Sequence, residues 1–460
     1  MSDVVSDGND EEDHDAGLSD RLIESIVAAV DAQDTDRLSE LLEPLHPADI
    51  ADVLEQIRPA ERRALLGLWS GEIDGEILSE IDDSIREEVI NALPRAVLAD
   101  AVRELDTDDV VDILEDLEES EQSFILDALE DADRVAVEQA MSFPEGSAGR
   151  LMQREIVAAP QHWSVGEAID YLRSEETLPE QFYHVILVDP KMHPVGYVTL
   201  GKILSSRRDA LLNDIAEESF RTIPALRDEA DVAYMFNQYH LISAPVVDEA
   251  DRLVGVITID DAMTVLDEEH EEDILLLAGV GESSLSDGVL ETVRRRFPWL
   301  FVNLITANLA ALVIAQFADT ISLLVVLAAL LPIVASMGGN AGTQSLTVAV
   351  RALASKGLTS SNAARVIRRE ALVGLVNGIG MALIMGAVGF WGYGSALLGV
   401  VLGLAMVLNL VVAALSGVLV PLILNRMNVD PALASGTFVT TMTDVTGFFV
   451  FLGLATMVLL

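Results

Sequence analysis

From Leu45 onward an apolar residue recurs every twelve positions, at Leu45, Ile57, Trp69, Ile81, Leu93, Leu105, Leu117 and Leu129. Most are followed by a turn or capping signal, such as His46-Pro47, Arg58-Pro59, Asp82-Asp83 or Asp106-Thr107. Helical spacing then follows, as in Val110, Ile113, Leu114 and Leu117. A fixed period in which each short helix buries one face predicts an all-α superhelical domain over residues 21–143. Ahead of it, residues 1–20 are acidic and lack an apolar run, so they read as a disordered tail and not as a signal or transit peptide.

The period ends at Pro144, and a second pattern begins. Two strand-turn-strand passages align at a spacing of 59 residues: Val185–Asp189 leading to Val195–Leu200, and Ala244–Asp248 leading to Val254–Ile259. In both, an Asp is followed seven residues later by a Gly, and amphipathic helices flank each passage. Residues 144–266 are therefore expected to be a tandem α/β repeat. The stretch after it holds eight carboxylates between Asp260 and Asp273, with Val265, Leu266, Ile274 and Leu277 at helical spacing and no Pro or Gly. Like charges at this density repel, so a divalent ion or high salt favours the helix, and the connector over 267–290 is either a sensor or a solvated acidic helix.

From residue 291 the chain is predominantly apolar and holds five stretches of membrane-spanning length, roughly 298–318, 321–349, 371–391, 396–424 and 434–460. Two depart from ordinary lipid-facing helix. The second contains Ser336-Met337-Gly338-Gly339-Asn340-Ala341-Gly342-Thr343-Gln344-Ser345, small and polar groups that suit either tight helix packing or a water-lined seam. The last contains Asp444. A carboxylate at bilayer depth costs about 2.5 kcal/mol or more, so it either faces an aqueous path or sits near a helix end. Asn303, Asn308, Asn377 and Asn409 read as interhelical hydrogen bonds, and Pro332 and Pro421 as kinks.

Charge sharpens the division. The chain has 28 Lys and Arg against 75 Asp and Glu; nine of the basic and five of the acidic residues follow residue 290, which leaves a net of 51 negative charges on the front part. Such an excess repels nucleic acid and favours cations, and its even spread is that of proteins from high-salt cytoplasms. All nine late cations fall on one side of the five spans if the front part is cytoplasmic, which places the C-terminus outside. Cysteine is absent, which excludes thiolate metal sites. No nucleophile motif, Walker loop or His-carboxylate constellation suggests an enzyme.

A helical repeat, a duplicated Val-Val-Asp and Gly-x-Val/Ile-Thr pattern like that of CBS repeats, an acidic connector, Gly-Gly-Asn-x-Gly-x-Gln-Ser in the second span and Ser/Thr-Asp-Val-Thr-Gly in the last together resemble the MgtE family of magnesium channels. The resemblance covers about residues 20–460. It implies a homodimer in the lipid bilayer whose pore lies between the two membrane domains, with Mg²⁺ as both substrate and effector. On that reading Asp444 and the Thr440 backbone hold hydrated Mg²⁺, and Gly338, Gly339, Asn340 and Thr443 line the pore. Asp108, Asp112, Asp228, Asp261, Glu269, Glu272 and Asp273 match the family's sensor carboxylates, which hold a closed state when cytosolic Mg²⁺ binds. The chain departs from the family pattern at His240, Ala230, Thr264 and Gly436. Gly201-Lys202 replaces an Arg-Asp pair that holds ATP in relatives, so ATP regulation is not expected. A less selective carrier of Mn²⁺ or Co²⁺ and a membrane-anchored CBS regulator remain the alternatives.

Overall fold

In the helical repeat it is the starts of the helices, more than any one face, that keep the twelve-residue beat. The computed structural model describes residues 18–460 except 70, 72, 116, 118, 175–177, 180–181, 218, 281–288, 360 and 428, so most of the expected acidic tail and part of the connector lie outside the described residues. Helices α3 (Pro47–Gln56), α4 (Pro59–Trp69), α6 (Asp83–Ala92), α7 (Arg95–Val102), α8 (Thr107–Glu115), α9 (Glu119–Ala128) and α10 (Asp131–Ala140) begin on that period. One slot is irregular: α5 (Gly75–Ser79) starts late and is short. Two further helices, α1 (Asp20–Ala32) and α2 (Thr35–Leu42), precede the series. The periodic apolar residues sit in the turns and at helix ends, where Ile57, Trp69, Ile81, Leu93 and Leu117 are buried. Each turn thus inserts one large side chain between successive helices while capping groups satisfy the freed N–H donors, as His46 and Asp49 do in the capping box of α3. Leu54, Leu65, Leu66, Leu78, Ile113 and Leu114 complete a continuous core.

Two arginines are buried in this core. Arg62 Nε donates to the Leu54 carbonyl at 2.7 Å and its Nη1 to Glu88 at 2.7 Å. Arg86, on α6, donates to the Ile81 carbonyl at 3.1 Å and pairs with Asp83 at 2.8 Å and with Asp112 of α8 at 3.0 Å. These cations tie neighbouring helices together and must keep their partners, because an unpaired buried charge is costly.

The tandem repeat forms two three-stranded sheets of the same topology. In the first, β1 (Ala158–Pro160) pairs in parallel with β2 (His184–Val188), which pairs antiparallel with β3 (Pro194–Thr199). In the second, β4 (Ile223–Pro224), β5 (Ser243–Val247) and β6 (Leu253–Thr258) repeat the arrangement. Helices α11 (Val165–Ser174), α12 (Leu200–Ser205), α13 (Leu212–Ile215) and α14 (Glu229–Tyr239) cover them. Ile186, Val188, Leu253 and Val256 join the sheets through one apolar cluster. At equivalent positions of the two repeats, His184 Nδ1 and Ser243 Oγ share a hydrogen bond of 2.5 Å.

The chain divides into two compact units, Met1–Leu266 and Asp267–Leu460. Helix α15 (Ile259–Leu277) is continuous across that boundary, so the end of the second repeat and the acidic connector are one helix. In the second unit, Leu276 and Leu277 pack with Leu346, Val350, Ala432 and Val439. Five helices of this unit are long and apolar enough, among the described residues, to cross a membrane. They are α16 (Val289–Gln316), α18 (Val326–Ala354), α19 (Ala363–Ala387), α20 (Ala396–Arg426) and α21 (Pro431–Leu459); a short α17 (Ala318–Leu323) precedes α18, and a π-turn at Val388–Gly392 extends α19. Two expected boundaries move. The second span starts at Val326 because the chain turns at Leu324–Val325. The third starts at Ala363, so Arg365, Arg368 and Arg369 are helical and not in a loop, as arginine's good helix propensity allows. Pro298, Pro332 and Pro421 lie within helices that continue through them. In the most apolar stretch of α20, 56% of the residues are buried against 6% in α16, so α20 is the axis of the bundle and α16 its outer member.

Candidate functional site

In the membrane domain a polar knot sets α18, α20 and α21 against one another. Asn409 of α20 is fully buried, and its Nδ2 donates to the Val334 carbonyl of α18 at 2.8 Å. Glycines make the notch: a Cβ on Gly338 would lie 2.4 Å from Asn409 Nδ2, and one on Gly447 of α21 would lie 2.9 Å from the same atom. The expected interhelical role holds for Asn409 and for Asn303, whose Oδ1 accepts from Thr437 at 2.9 Å. Asn308 instead donates to Leu304 of its own helix.

Among the residues expected to line a pore, Gly338 and Thr443 turn inward. Gly338 faces Asn409, and the fully buried Thr443 donates its hydroxyl to the Thr440 carbonyl at 2.9 Å. That carbonyl lies inside a continuous helix, where its other lone pair serves the helical N–H four residues on, so it is not a free ligand. Gly339 has open space around it, and Ser336, Asn340, Thr343 and Thr347 form an exposed polar stripe on α18. Asp444 is half-buried on α21. Among the described residues, no hydrogen bond or ion pair reaches its carboxylate. Glu370, a carboxylate on α19, is in contrast 8% exposed and accepts from Ser345 at 3.1 Å.

In the first unit the structure brings Asp108 and Asp261 together, at the first turn of α8 and the first turn of α15. Three carboxylates that sequence reasoning passed over, Asp106, Asp109 and Asp260, join them. Burial first, then the charges of Asp261, Asp109 and Asp106, pushes the Asp108 carboxyl well above the usual range. Burial, then the charges of Asp261, Asp106, Asp112 and Asp260, raise Asp109 to about 7. Asp261 rises to about 6 through burial, against the Thr258 hydroxyl that donates to it at 2.7 Å. Gln153 donates to Asp106 at 3.1 Å, and the Thr107 hydroxyl to Glu155 at 2.6 Å, which fixes this edge of α8. The only signal in the sequence was adjacency: Asp109 and Asp260 flank predicted residues, and Asp106 is one helical turn before Asp109.

A second group brings Asp112 and Asp228 near one another. Asp112 is 60% exposed but paired to Arg86 at 3.0 Å, and Asp228 caps α14 by accepting from the Asp231 N–H. Between them stand Glu115, paired with Arg150 at 2.5 Å, and Glu229, which burial and the charges of Glu115, Asp228 and Asp112 raise above the usual carboxylate range. On α15, burial and then Asp430 push Asp273 up while His270 opposes, and Glu269 and Glu272 on the same helix have partners of their own. Among the described residues no three His, Asp or Glu side chains converge as a ready metal shell. The arrangement is one of crowded, largely buried carboxylates that repel one another.

Residues 331–454 match a family described as a divalent cation transporter, residues 45–146 the MgtE intracellular N domain, and residues 148–209 and 213–268 the CBS domain. Similar proteins include the magnesium transporter MgtE of Bacillus subtilis (strain 168), 30% identical over 417 residues, covering 90% of this chain and 92% of the relative. That of Enterococcus faecalis is 35% identical over 322 residues (70% and 71%), and that of Thermus thermophilus 30% identical over 448 residues (96% and 99%). Among solved structures, the cytosolic domain of the Mg²⁺ channel MgtE in complex with ATP is 29% identical, with a TM-score of 0.49, and covers 53% of this chain and 99% of that one. The soluble part of a magnesium transporter is 24% identical with a TM-score of 0.47, covering 54% and 98%.

Proposed function

The chain belongs to the MgtE family of divalent cation transporters, and from that premise we propose that it is a Mg²⁺ uptake channel closed by cytosolic Mg²⁺. The observation that carries the pore is Asp444, a half-buried carboxylate in an apolar helix with no partner among the described residues. A charge so placed is tolerated where water or a cation reaches it. In a homodimer, two copies of Asp444 and of the polar stripe on α18 face a shared path. Mg²⁺ dehydrates reluctantly and is commonly held by one or two carboxylates with several waters retained, which suits one aspartate per protomer better than a closed ligand cage. Gly339, Asn340 and the exposed face of Thr440 line this path, while Gly338, Thr443 and Asn409 hold its wall. With two charges, an inside-negative potential of 100 mV contributes about 4.6 kcal/mol to entry, so uptake needs no ATP.

The soluble domains are cytoplasmic and the C-terminus external, which puts the late cations on the inner side. Gating rests on the carboxylate groups around Asp108 and Asp261, around Asp112 and Asp228, and on Asp273 with Glu269 and Glu272. Cytosolic Mg²⁺ neutralises their repulsion and favours the closed arrangement; its removal favours the open one. ATP regulation is not expected, since Lys202 stands at the position concerned and pairs with Glu217 at 3.3 Å.

Flux in liposomes tests the proposal. Wild-type protein is expected to pass Mg²⁺ and to slow when Mg²⁺ is raised on the soluble-domain side. Asp444→Asn is expected to reduce flux at least tenfold. Undiminished flux in that variant overturns the pore assignment. The described family of divalent cation transporters also favours a second reading, passage of Mn²⁺ and Co²⁺, and equal flux of all three ions would establish it over Mg²⁺ selectivity.

A further inference from the structure

Helix α19 opens with three arginines in its first two turns: Arg365, Arg368 and Arg369. Their i, i+3, i+4 spacing puts them on one face, and all three are exposed. Among the described residues none of them has an ion pair or side-chain hydrogen bond. The acid adjacent in sequence, Glu370, points the other way, into the bundle, where it accepts from Ser345 at 3.1 Å. The arginines also crowd the positive end of the α19 dipole, where cations are disfavoured. The arrangement is therefore a concentration of positive charge without a counter-anion, in a chain whose formal net charge is −47.

Directly below, on the same face, Leu372, Val373 and Val376 are exposed and continue the strip that the arginines begin along the outer side of α19. Guanidinium groups bind phosphate through paired N–H donors, and the apolar floor suits a hydrocarbon chain. A free phosphate would use only the upper half of this surface. We propose that this strip binds one anionic phospholipid, its phosphate held by Arg365, Arg368 and Arg369 and an acyl chain laid along Leu372, Val373 and Val376. The assignment to the cytoplasmic leaflet rests on the orientation proposed above; the binding itself does not.

Native mass spectrometry of the full-length protein, released from mixed micelles holding equal phosphatidylglycerol and phosphatidylcholine of the same chain length, tests it. Wild type is expected to retain phosphatidylglycerol at least fivefold over phosphatidylcholine. The triple variant Arg365→Gln, Arg368→Gln, Arg369→Gln should lose that preference, a triple Lys variant should keep most of it, and Arg426→Gln should keep all of it. Inorganic phosphate in millimolar excess should not displace the lipid; displacement would make the site a phosphate site and overturn the lipid assignment. Retention by wild type in the bulk ratio, which needs no variant to fold, also overturns it, as does an undiminished preference in the Gln variant. The readout is lipid retention and not ion flux, so its outcome is separate from that of the channel proposal.

Discussion

Removing one charge from the carboxylate group at the start of α8 should stabilise this protein at neutral pH. Asp109 has the clearest displacement, from 3.8 to about 7, caused by burial and then by Asp261, Asp106, Asp112 and Asp260. Because the folded chain ionises this group less readily than the unfolded chain, it holds more protons between about pH 4 and pH 7, and stability falls as pH rises through that window. At 1.36 kcal/mol per unit, a shift of about three units corresponds to about 4 kcal/mol were Asp109 to titrate alone. Its neighbours share the repulsion and ionise more readily once it is gone, so Asp109→Asn is expected to recover about 2 kcal/mol at pH 8. For a unit of this size that is a rise of about 4–8 °C in its thermal transition. The assay is thermal unfolding of full-length protein in detergent, with chelator and fixed KCl, at pH 5 and pH 8. Wild type should lose stability between those values and the variant should lose less. Added Mg²⁺ should stabilise wild type at pH 8 more than the variant. A variant no more stable than wild type at pH 8, with the same pH dependence, would refute the reading that repulsion dominates this group.

Gly338→Ala should cost about 1–3 kcal/mol in the membrane domain, since its Cβ would stand 2.4 Å from Asn409 Nδ2, whereas Gly339→Ala, with nothing within 4 Å, should be neutral in the same thermal assay. Arg86→Ala should destabilise the helical domain by about 1.5–3 kcal/mol, because it removes a buried guanidinium that donates to the Ile81 carbonyl and pairs with the exposed carboxylates of Asp83 and Asp112; chemical denaturation of the full chain checks this, and a change below 1 kcal/mol would contradict it. Asp273→Asn removes a charge that faces Asp430, so α15 should resist protease in the absence of Mg²⁺ more than wild type does. Cleavage as fast as in wild type would count against repulsion between those two carboxylates.

Much of the architecture was legible because it depends on periodicity. The twelve-residue beat marks helix starts, the 59-residue repeat marks two equivalent sheets, and apolar length marks five membrane-spanning helices; each is a property of the chain read one element at a time. Helix boundaries were less so: the third span was placed at 371–391, yet its helix begins at Ala363 and carries Arg365, Arg368 and Arg369, since charge does not oppose a helix whose exposed face carries it. Asp444 stood out from sequence alone, since a lone carboxylate in an apolar run is visible without any neighbour.

What tertiary structure decided was company. Asp108 and Asp261 lie more than 150 residues apart, and only folding sets them together with Asp106, Asp109 and Asp260, where shared burial raises their affinity for protons. Gly338 and Gly339 are identical in sequence, and only the packing of Asn409 distinguishes the one that must be glycine from the one that need not be. Likewise Glu370 and Asp444 are both carboxylates in the helical bundle, but one has Ser345 within hydrogen-bond reach and the other has no partner among the described residues. Sequence fixes which groups carry charge and which faces are apolar. The long-range contacts fix how much water and how many neighbours each charge retains, and that balance separates a structural carboxylate from one available to an ion.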